Sequence, residues 1–148
     1  MQHKEDGFLL GVWRMDESYE ELCRQLAGTD LCRQASERFH AVQRRHEWLS
    51  VRLLLRTLLG ADKEIAYLPS GKPYLADGSF HISISHTRGY VALLLASTPA
   101  GIDIEQYATR VHRISSKFMR ADEQPVPYQG DDTWSLLLHW SAKEVMFK

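Results

Sequence analysis

Phe80-His81-Ile82-Ser83-Ile84-Ser85, then His86-Thr87-Arg88-Gly89, then Tyr90-Val91-Ala92-Leu93-Leu94-Leu95-Ala96 is the stretch whose reading decides the fold. In its first part Ile82 and Ile84 alternate with His81, Ser83 and Ser85, the two-residue period of a half-buried strand. The polar group ending in Gly89 makes a turn. The last part is almost wholly apolar, as a strand is when both of its faces are covered. The stretch predicts a hairpin, and the helical patterns around it place that hairpin in an α+β fold.

Upstream, Phe8 to Trp13 reads as a strand and Glu17 to Ala27 as a helix. Gly28-Thr29-Asp30 breaks that helix and offers a cap for the next. Ala35, Phe39, Val42, His46, Leu49 and Leu53 recur at three- and four-residue steps, which predicts helix between Leu31 and Leu59, continuous or broken once. Gly60 is placed to stop it. Ile65 to Leu68 reads as a short strand before the turn at Pro69-Ser70-Gly71-Lys72-Pro73. Downstream, Ser97-Thr98-Pro99-Ala100 leads into Gly101-Ile102-Asp103-Ile104-Glu105, a second alternating segment read as a strand. Val111, Ile114 and Phe118 keep helical spacing, and Pro125 and Pro127 mark a loop. In the last segment Trp134, Leu138, Ala142 and Val145 fall in one stripe, which predicts that this side packs inward. No internal repeat or low-complexity tract interrupts the chain.

Composition bounds the function. At 148 residues and 44% hydrophobic, the chain can bury one sizeable core or two small ones sharing an interface. A formal net charge of −1 argues against bulk attraction to nucleic acid or membrane. Cys23 and Cys32 show neither metal-ligand spacing nor a disulfide framework, which fits a reducing cytoplasm. Met1 to Asp6 lacks an apolar signal region, and no run reaches membrane-spanning length. The expectation is a soluble cytoplasmic protein.

The chemistry lies in a few short stretches. If residues 101–105 form a strand, Ile102 and Ile104 face the core and both acids point the other way, with Cα atoms about 6.6 Å apart. Both carboxylates then reach one cation or its waters. Glu144 adds a third carboxylate on the final helix, flanked by Lys143 and Lys148, with Trp140 one turn earlier. Three hard oxygen ligands and two cations suit a magnesium-dependent phosphoryl-type transfer. Taken singly, each feature has a plain reading: an Asp-x-Glu is commonly a solvated strand face, and an i,i+4 Glu–Lys pair is commonly a surface pair. Gly71-Lys72-Pro73-Tyr74 sets a lysine between a flexible and a rigid residue, and Ser85-His86 places a hydroxyl and an imidazole at a strand end. Arg44, Arg45, Arg52 and Arg56 cluster in one segment; Arg110, Arg113, Lys117 and Arg120 cluster in another. Either is a solvated helix face or a phosphate holder.

Taken together and in order, Gly71-Lys72-Pro73, Phe80 to His86, Gly101 to Glu105 and Trp140-x-x-Lys143-Glu144-x-x-x-Lys148 resemble the signature of the 4′-phosphopantetheinyl transferases. The two-lobed Sfp-type branch is the nearest match, and the resemblance spans about residues 50–148. It implies two similar lobes of antiparallel sheet plus helix, here an N-terminal lobe over residues 1–98 and part of a second over residues 99–148. The implied activity moves the phosphopantetheine arm of coenzyme A to a serine of an acyl or peptidyl carrier protein, releasing adenosine 3′,5′-bisphosphate. By resemblance Asp103, Glu105 and Glu144 hold magnesium against the pyrophosphate. Lys148 neutralises the phosphate under attack with Lys143 nearby, and Glu144, or a water it orients, takes the serine proton. Lys72 and Pro73 with their turn, Ser85 and His86 grip the coenzyme A phosphates, and Arg52 resembles the arginine for the 3′-phosphate. Glu123 matches an acidic position of unassigned role.

Ser83 and Thr87 depart from the family, which usually has Asn at the first and often Ser at the second; hydroxyls keep some of the hydrogen bonding. The family continues beyond the last motif with further strands, so the second lobe is expected to be incomplete here. Self-association through that lobe, or an inactive chain, follows from that expectation. Two other readings stand beside the transferase: a non-catalytic module that holds coenzyme A or a carrier protein, and a magnesium-dependent nuclease or hydrolase using Asp103, Glu105 and a lysine. An acidic carrier surface meeting Arg110, Arg113 and Lys117 is the expected partner geometry.

Overall fold

The computed structural model describes residues 2–5 and 7–147, with the side chains taken from Gly7 onward. Strands β1 (Gln2–Glu5), β2 (Phe8–Arg14), β5 (His81–Thr87) and β6 (Tyr90–Ala96) form one antiparallel sheet in the order β1-β2-β6-β5. Strands β3 (Ile65–Tyr67) and β4 (Pro73–Leu75) form a separate ribbon. Helices α1 (Tyr19–Gln25), α2 (Leu31–Arg38) and α3 (Val42–Leu59) lie between β2 and β3; α4 (Val111–Phe118) and α5 (Thr133–Phe147) follow the sheet. The class is α+β.

The hairpin β5–β6 is paired as Ile84 to Leu93 and Ser85 to Ala92. Strand β6 also pairs with β2, Leu10 opposite Leu94, and this central position explains its apolar run. Val91, Ala92, Leu93, Leu95 and Ala96 are all buried. One face of the sheet receives α3: Val51, Leu54 and Leu55 pack with Ile82, Val91, Leu93 and Leu95, and with Ile65 and Leu75 of the ribbon. Gly11 permits the close approach, since a Cβ there would lie 2.7 Å from Leu54 Cδ1. A second cluster joins the first three helices through Leu22, Leu26, Ala35, Leu49 and Leu53. A third joins α4 to α5 through Val111, Leu136 and Leu137.

Local signals set the helix ends. Ser18 caps α1 in a reciprocal capping box with Glu21. Gly60, at φ 69°, ends α3 in the left-handed region. The expected helix from Leu31 to Leu59 is broken once, at residues 39–41, where the backbone of Phe39 turns extended.

Three expectations are corrected. Residues 101–105 are not a strand but an irregular segment. Cys23 and Cys32 form a disulfide between α1 and α2, where the spacing had pointed to no pairing. Three of the four residues of the stripe expected to face inward on α5 are exposed, Trp134 at 47%, Leu138 at 69% and Ala142, while Val145 is half-buried against Gly101. Leu136 and Leu137 are buried instead. This helix is apolar around most of its circumference, so periodicity could not choose the face that packs on Val111. Among the described residues no helix is long and apolar enough to cross a membrane.

Candidate functional site

A cleft of about 390 Å³ opens between α2, the first half of α3, the ribbon and the end of β5, with Arg38, Arg44, Trp48, Arg52, Tyr67 and His86 on its walls. It adjoins a larger cleft of about 630 Å³, which shares Arg38, Trp48, Arg52 and Tyr67 and adds Gln34, Lys63 and three acids, Asp30, Asp62 and Glu64, so the net cationic part of the lining is confined to the shared junction.

Arg52 stands at the junction and is 6% exposed. Its guanidinium carbon lies 3.3 Å from the centroid of the Trp48 ring, and Nη1 donates to the Trp48 carbonyl at 3.1 Å. Burial pulls its pKa down to about 10, an interaction with Tyr67 opposes this, and repulsion from Arg38 adds to it. The group is still cationic at neutral pH. Arg38 reaches over the Tyr67 ring at 5.3 Å. Among the described residues neither arginine pairs with a carboxylate, so the junction carries two cations with aromatic faces beside them. Such a lining favours a multiply charged anion with a flat ring.

His86 closes the other end. Its Nε2 lies 3.1 Å from Arg44 Nη1. Glu47 holds Arg44 at 2.9 Å and stands 3.6 Å from His86 Nε2. Burial raises the Glu47 carboxyl, but hydrogen bonds from Gln43 and Arg44, with His86 nearby, outweigh it and the net shift is downward. Of the arginine run singled out in the sequence, Arg44 and Arg52 line the cleft; Arg45 donates to the Phe39 carbonyl and Arg56 faces Asp62. Gly71 and Pro73 line the same cleft, whereas the exposed Lys72 lines a neighbouring groove with Pro73 and Tyr74.

The acidic segment is held by Ser85, the residue before His86. Ser85 donates to Asp103 Oδ1 at 2.8 Å and accepts the Ile104 amide at 3.2 Å; Ser83 accepts the Ile102 amide at 3.0 Å. Both serines are nearly fully buried. Two side-chain hydroxyls thus take backbone amides that a strand would pair with carbonyls, which is why residues 101–105 follow β5 without joining the sheet. Gly101 meets α5 so closely that a Cβ would lie 2.7 Å from the Val145 carbonyl oxygen. Glu105 Oε1 accepts from Trp140 Nε1 at 2.9 Å, and Trp140 stacks edge-on against Phe118.

Lys143 turns toward α4. Its ammonium donates to the Phe118 carbonyl, at the last residue of α4, and pairs with Glu123 Oε2 at 2.5 Å. Glu123 also accepts the Arg120 amide at 2.8 Å, and these bonds, the lysine's first, hold its carboxyl below the usual range. Glu144 is half-buried on α5, and Lys148 lies outside the described residues.

Asp103, Glu105 and Glu144 have the hard-oxygen chemistry magnesium prefers. As arranged they do not fit a shared centre: among the described residues no three His, Cys, Asp or Glu side chains are grouped to hold a metal ion. Asp103 is turned to Ser85 and Glu105 to Trp140.

Sequence reading missed Arg38, Trp48 and Tyr67. Arg38 was outside both arginine runs, and nothing local marks Trp48 as the platform for a residue four positions on, although i,i+4 spacing allows it. No protein-family model matches the chain, and comparison with curated proteins likewise finds no match.

Proposed function

We propose that the chain binds coenzyme A and serves the transfer of its 4′-phosphopantetheine arm to a serine of an acyl or peptidyl carrier protein. The observation that carries this reading is the pair Arg38 and Arg52, two cations without a carboxylate partner among the described residues, set beside Trp48 and Tyr67. A ligand with several phosphates and an adenine ring suits that lining. Further support comes from continuity. His86 lines the cleft, and its neighbour Ser85 holds Asp103 on the opposite face of β5, an edge strand, so a long phosphorylated ligand that passes over that edge meets the acidic segment.

In the transfer the carrier serine oxygen forms a bond to the phosphorus that bears the pantetheine arm. The bond from that phosphorus to the bridging oxygen breaks, and adenosine 3′,5′-bisphosphate leaves with the electron pair. Glu144, half-buried on α5, takes the serine proton directly or through a water. Arg38, Arg52 and His86 orient the leaving nucleotide. Magnesium belongs to the reading through Asp103, Glu105 and Glu144, but these do not gather as arranged, so no step here runs through it.

That same separation favours a second reading, a module that holds coenzyme A without transferring its arm. Intact-mass spectrometry of an apo carrier protein incubated with coenzyme A, magnesium and the chain separates the two. A gain of one phosphopantetheine mass, lost in Asp103→Ala and Glu144→Ala, supports transfer. Coenzyme A binding with no mass gain supports the module. Absence of both overturns the proposal.

A further inference from the structure

We propose that Cys23–Cys32 is a reversible thiol–disulfide clasp that holds α2, and with it Arg38, against the cleft. The disulfide ties the second half of α1 to the first turn of α2, with Cα atoms 5.7 Å apart. Both cysteines are half-buried at the edge of the cluster formed by Leu22, Leu26, Ala35, Leu49 and Leu53.

Helix α2 has few other anchors: the Tyr19 hydroxyl donates to the Cys32 carbonyl at 3.2 Å, and Leu31 and Ala35 pack in the cluster it shares with α1 and α3. It has 8 residues, buries only Ala35, and its N-cap Asp30 makes no side-chain capping bond. A helix this short is not stable alone, and its position rests on what anchors it. Yet α2 forms one wall of both clefts: Leu31, Gln34 and Arg38 line the larger, and Arg38 continues into the smaller. Releasing its first turn therefore moves Arg38, one of the two cations that have no carboxylate partner among the described residues.

The exchange uses a thiol such as glutathione. Its thiolate attacks one cysteine sulfur, the Cys23–Cys32 bond breaks, and a mixed disulfide forms. A second glutathione thiolate attacks the glutathione sulfur and displaces the cysteine. The protein gains two electrons and two protons, and glutathione disulfide leaves. Glutathione disulfide reverses the exchange.

The ligand arm of the test rests on the coenzyme A reading; the backbone arm does not. The full chain is equilibrated with glutathione disulfide or with dithiothreitol, thiols are counted by alkylation and mass, and amide exchange and adenosine 3′,5′-bisphosphate binding are measured. Reduction is expected to speed exchange of the α2 amides about tenfold or more while β5 and β6 stay protected, and to weaken binding about tenfold. Cys23→Ser and Cys32→Ser are expected to match the reduced chain under both conditions. Equal α2 exchange in the two forms, or two free thiols after glutathione disulfide, overturns the clasp. Redox-dependent exchange with no nucleotide binding in either form keeps the clasp and sinks the coenzyme A reading. Redox-independent binding sinks the clasp and keeps that reading.

Discussion

Ser85 gives its hydroxyl hydrogen to Asp103 at 2.8 Å while taking the amide of Ile104 at 3.2 Å, so one buried hydroxyl fixes both the carboxylate and the backbone of the acidic segment. The sheet thereby passes its rigidity to a segment that is not part of it. Ser83, two residues earlier on the same face, repeats the backbone half of this contact with Ile102.

Ser85→Ala leaves the Ile104 amide and the Asp103 carboxylate short of a partner. The expected loss is about 1–3 kcal/mol by urea denaturation, against the lower end of that range for Ser83→Ala, which loses one bond. Equal losses would mean that Asp103 gains nothing from Ser85.

Arg52 is buried without a carboxylate partner among the described residues, and its burial works against its charge. Arg52→Met keeps apolar packing against Trp48 while removing the charge, its cation–π contact and the donor to the Trp48 carbonyl. Stability should stay level or rise by up to about 4 kcal/mol, while affinity for adenosine 3′,5′-bisphosphate falls about tenfold or more. Calorimetry of the same variant reads both quantities. Lost stability with unchanged affinity would make Arg52 a structural residue only.

At the start of α5, Asp131 accepts from the Thr133 hydroxyl and amide at 2.6 and 2.8 Å and from Tyr107. The Thr133 side chain first, then Tyr107, lowers its pKa from 3.8 to about 2. A depressed carboxyl contributes stability above its unfolded value and loses it as pH falls through the folded one. Stability should therefore fall between about pH 4 and pH 2, and Asp131→Asn should flatten that part of the curve. An NMR titration of Asp131 with an ordinary midpoint would refute the assignment.

The fold was legible where the two faces of an element differ in polarity. Strand β5 shows that contrast in Ile82 and Ile84 against Ser83 and Ser85, although residues 101–104 cover the serine face too, and β6, buried on both faces, was legible from its unbroken apolar run. Helix α5 has no such contrast: Trp134 and Leu138 are as apolar as Leu136 and Leu137, and only the position of Val111 decides which pair is buried. Residues 101–105 carry a strand's alternation, but their amides are taken by two serine hydroxyls, a tertiary contact that local pattern does not encode. The cleft was half legible. Arg52 and His86 stood out as residue types, whereas Arg38 and Tyr67 meet Arg52 only through packing of α2 and the ribbon on α3.

Lys143 separates two roles cleanly. It caps the Phe118 carbonyl and pairs with Glu123, both about a quarter exposed, which makes it a brace between α4 and α5. Lys143→Met should cost about 1 kcal/mol, with solvent screening limiting the ion-pair share, and leave coenzyme A affinity unchanged. A selective loss of affinity would return Lys143 to the phosphates.

The basic run on α4 gives a prediction in which stability and binding move in opposite directions. Arg110 is the N-cap of α4, Arg113 lies in its first turn, and that turn holds no acidic residue. Cations at a helix N-terminus oppose the helix dipole, so these side chains do nothing for the helix they sit on. Arg110, Arg113 and Lys117 are exposed and make no ion pair among the described residues, whereas Arg120 beside them is paired with Asp122. Arg110→Glu with Arg113→Glu should therefore raise stability by about 0.3–1 kcal/mol at low salt. If an acidic carrier helix docks here, the same double variant should weaken carrier binding about tenfold and remove most of its dependence on ionic strength. A variant that is more stable and still binds the carrier with the original salt dependence would place the docking surface elsewhere on the chain.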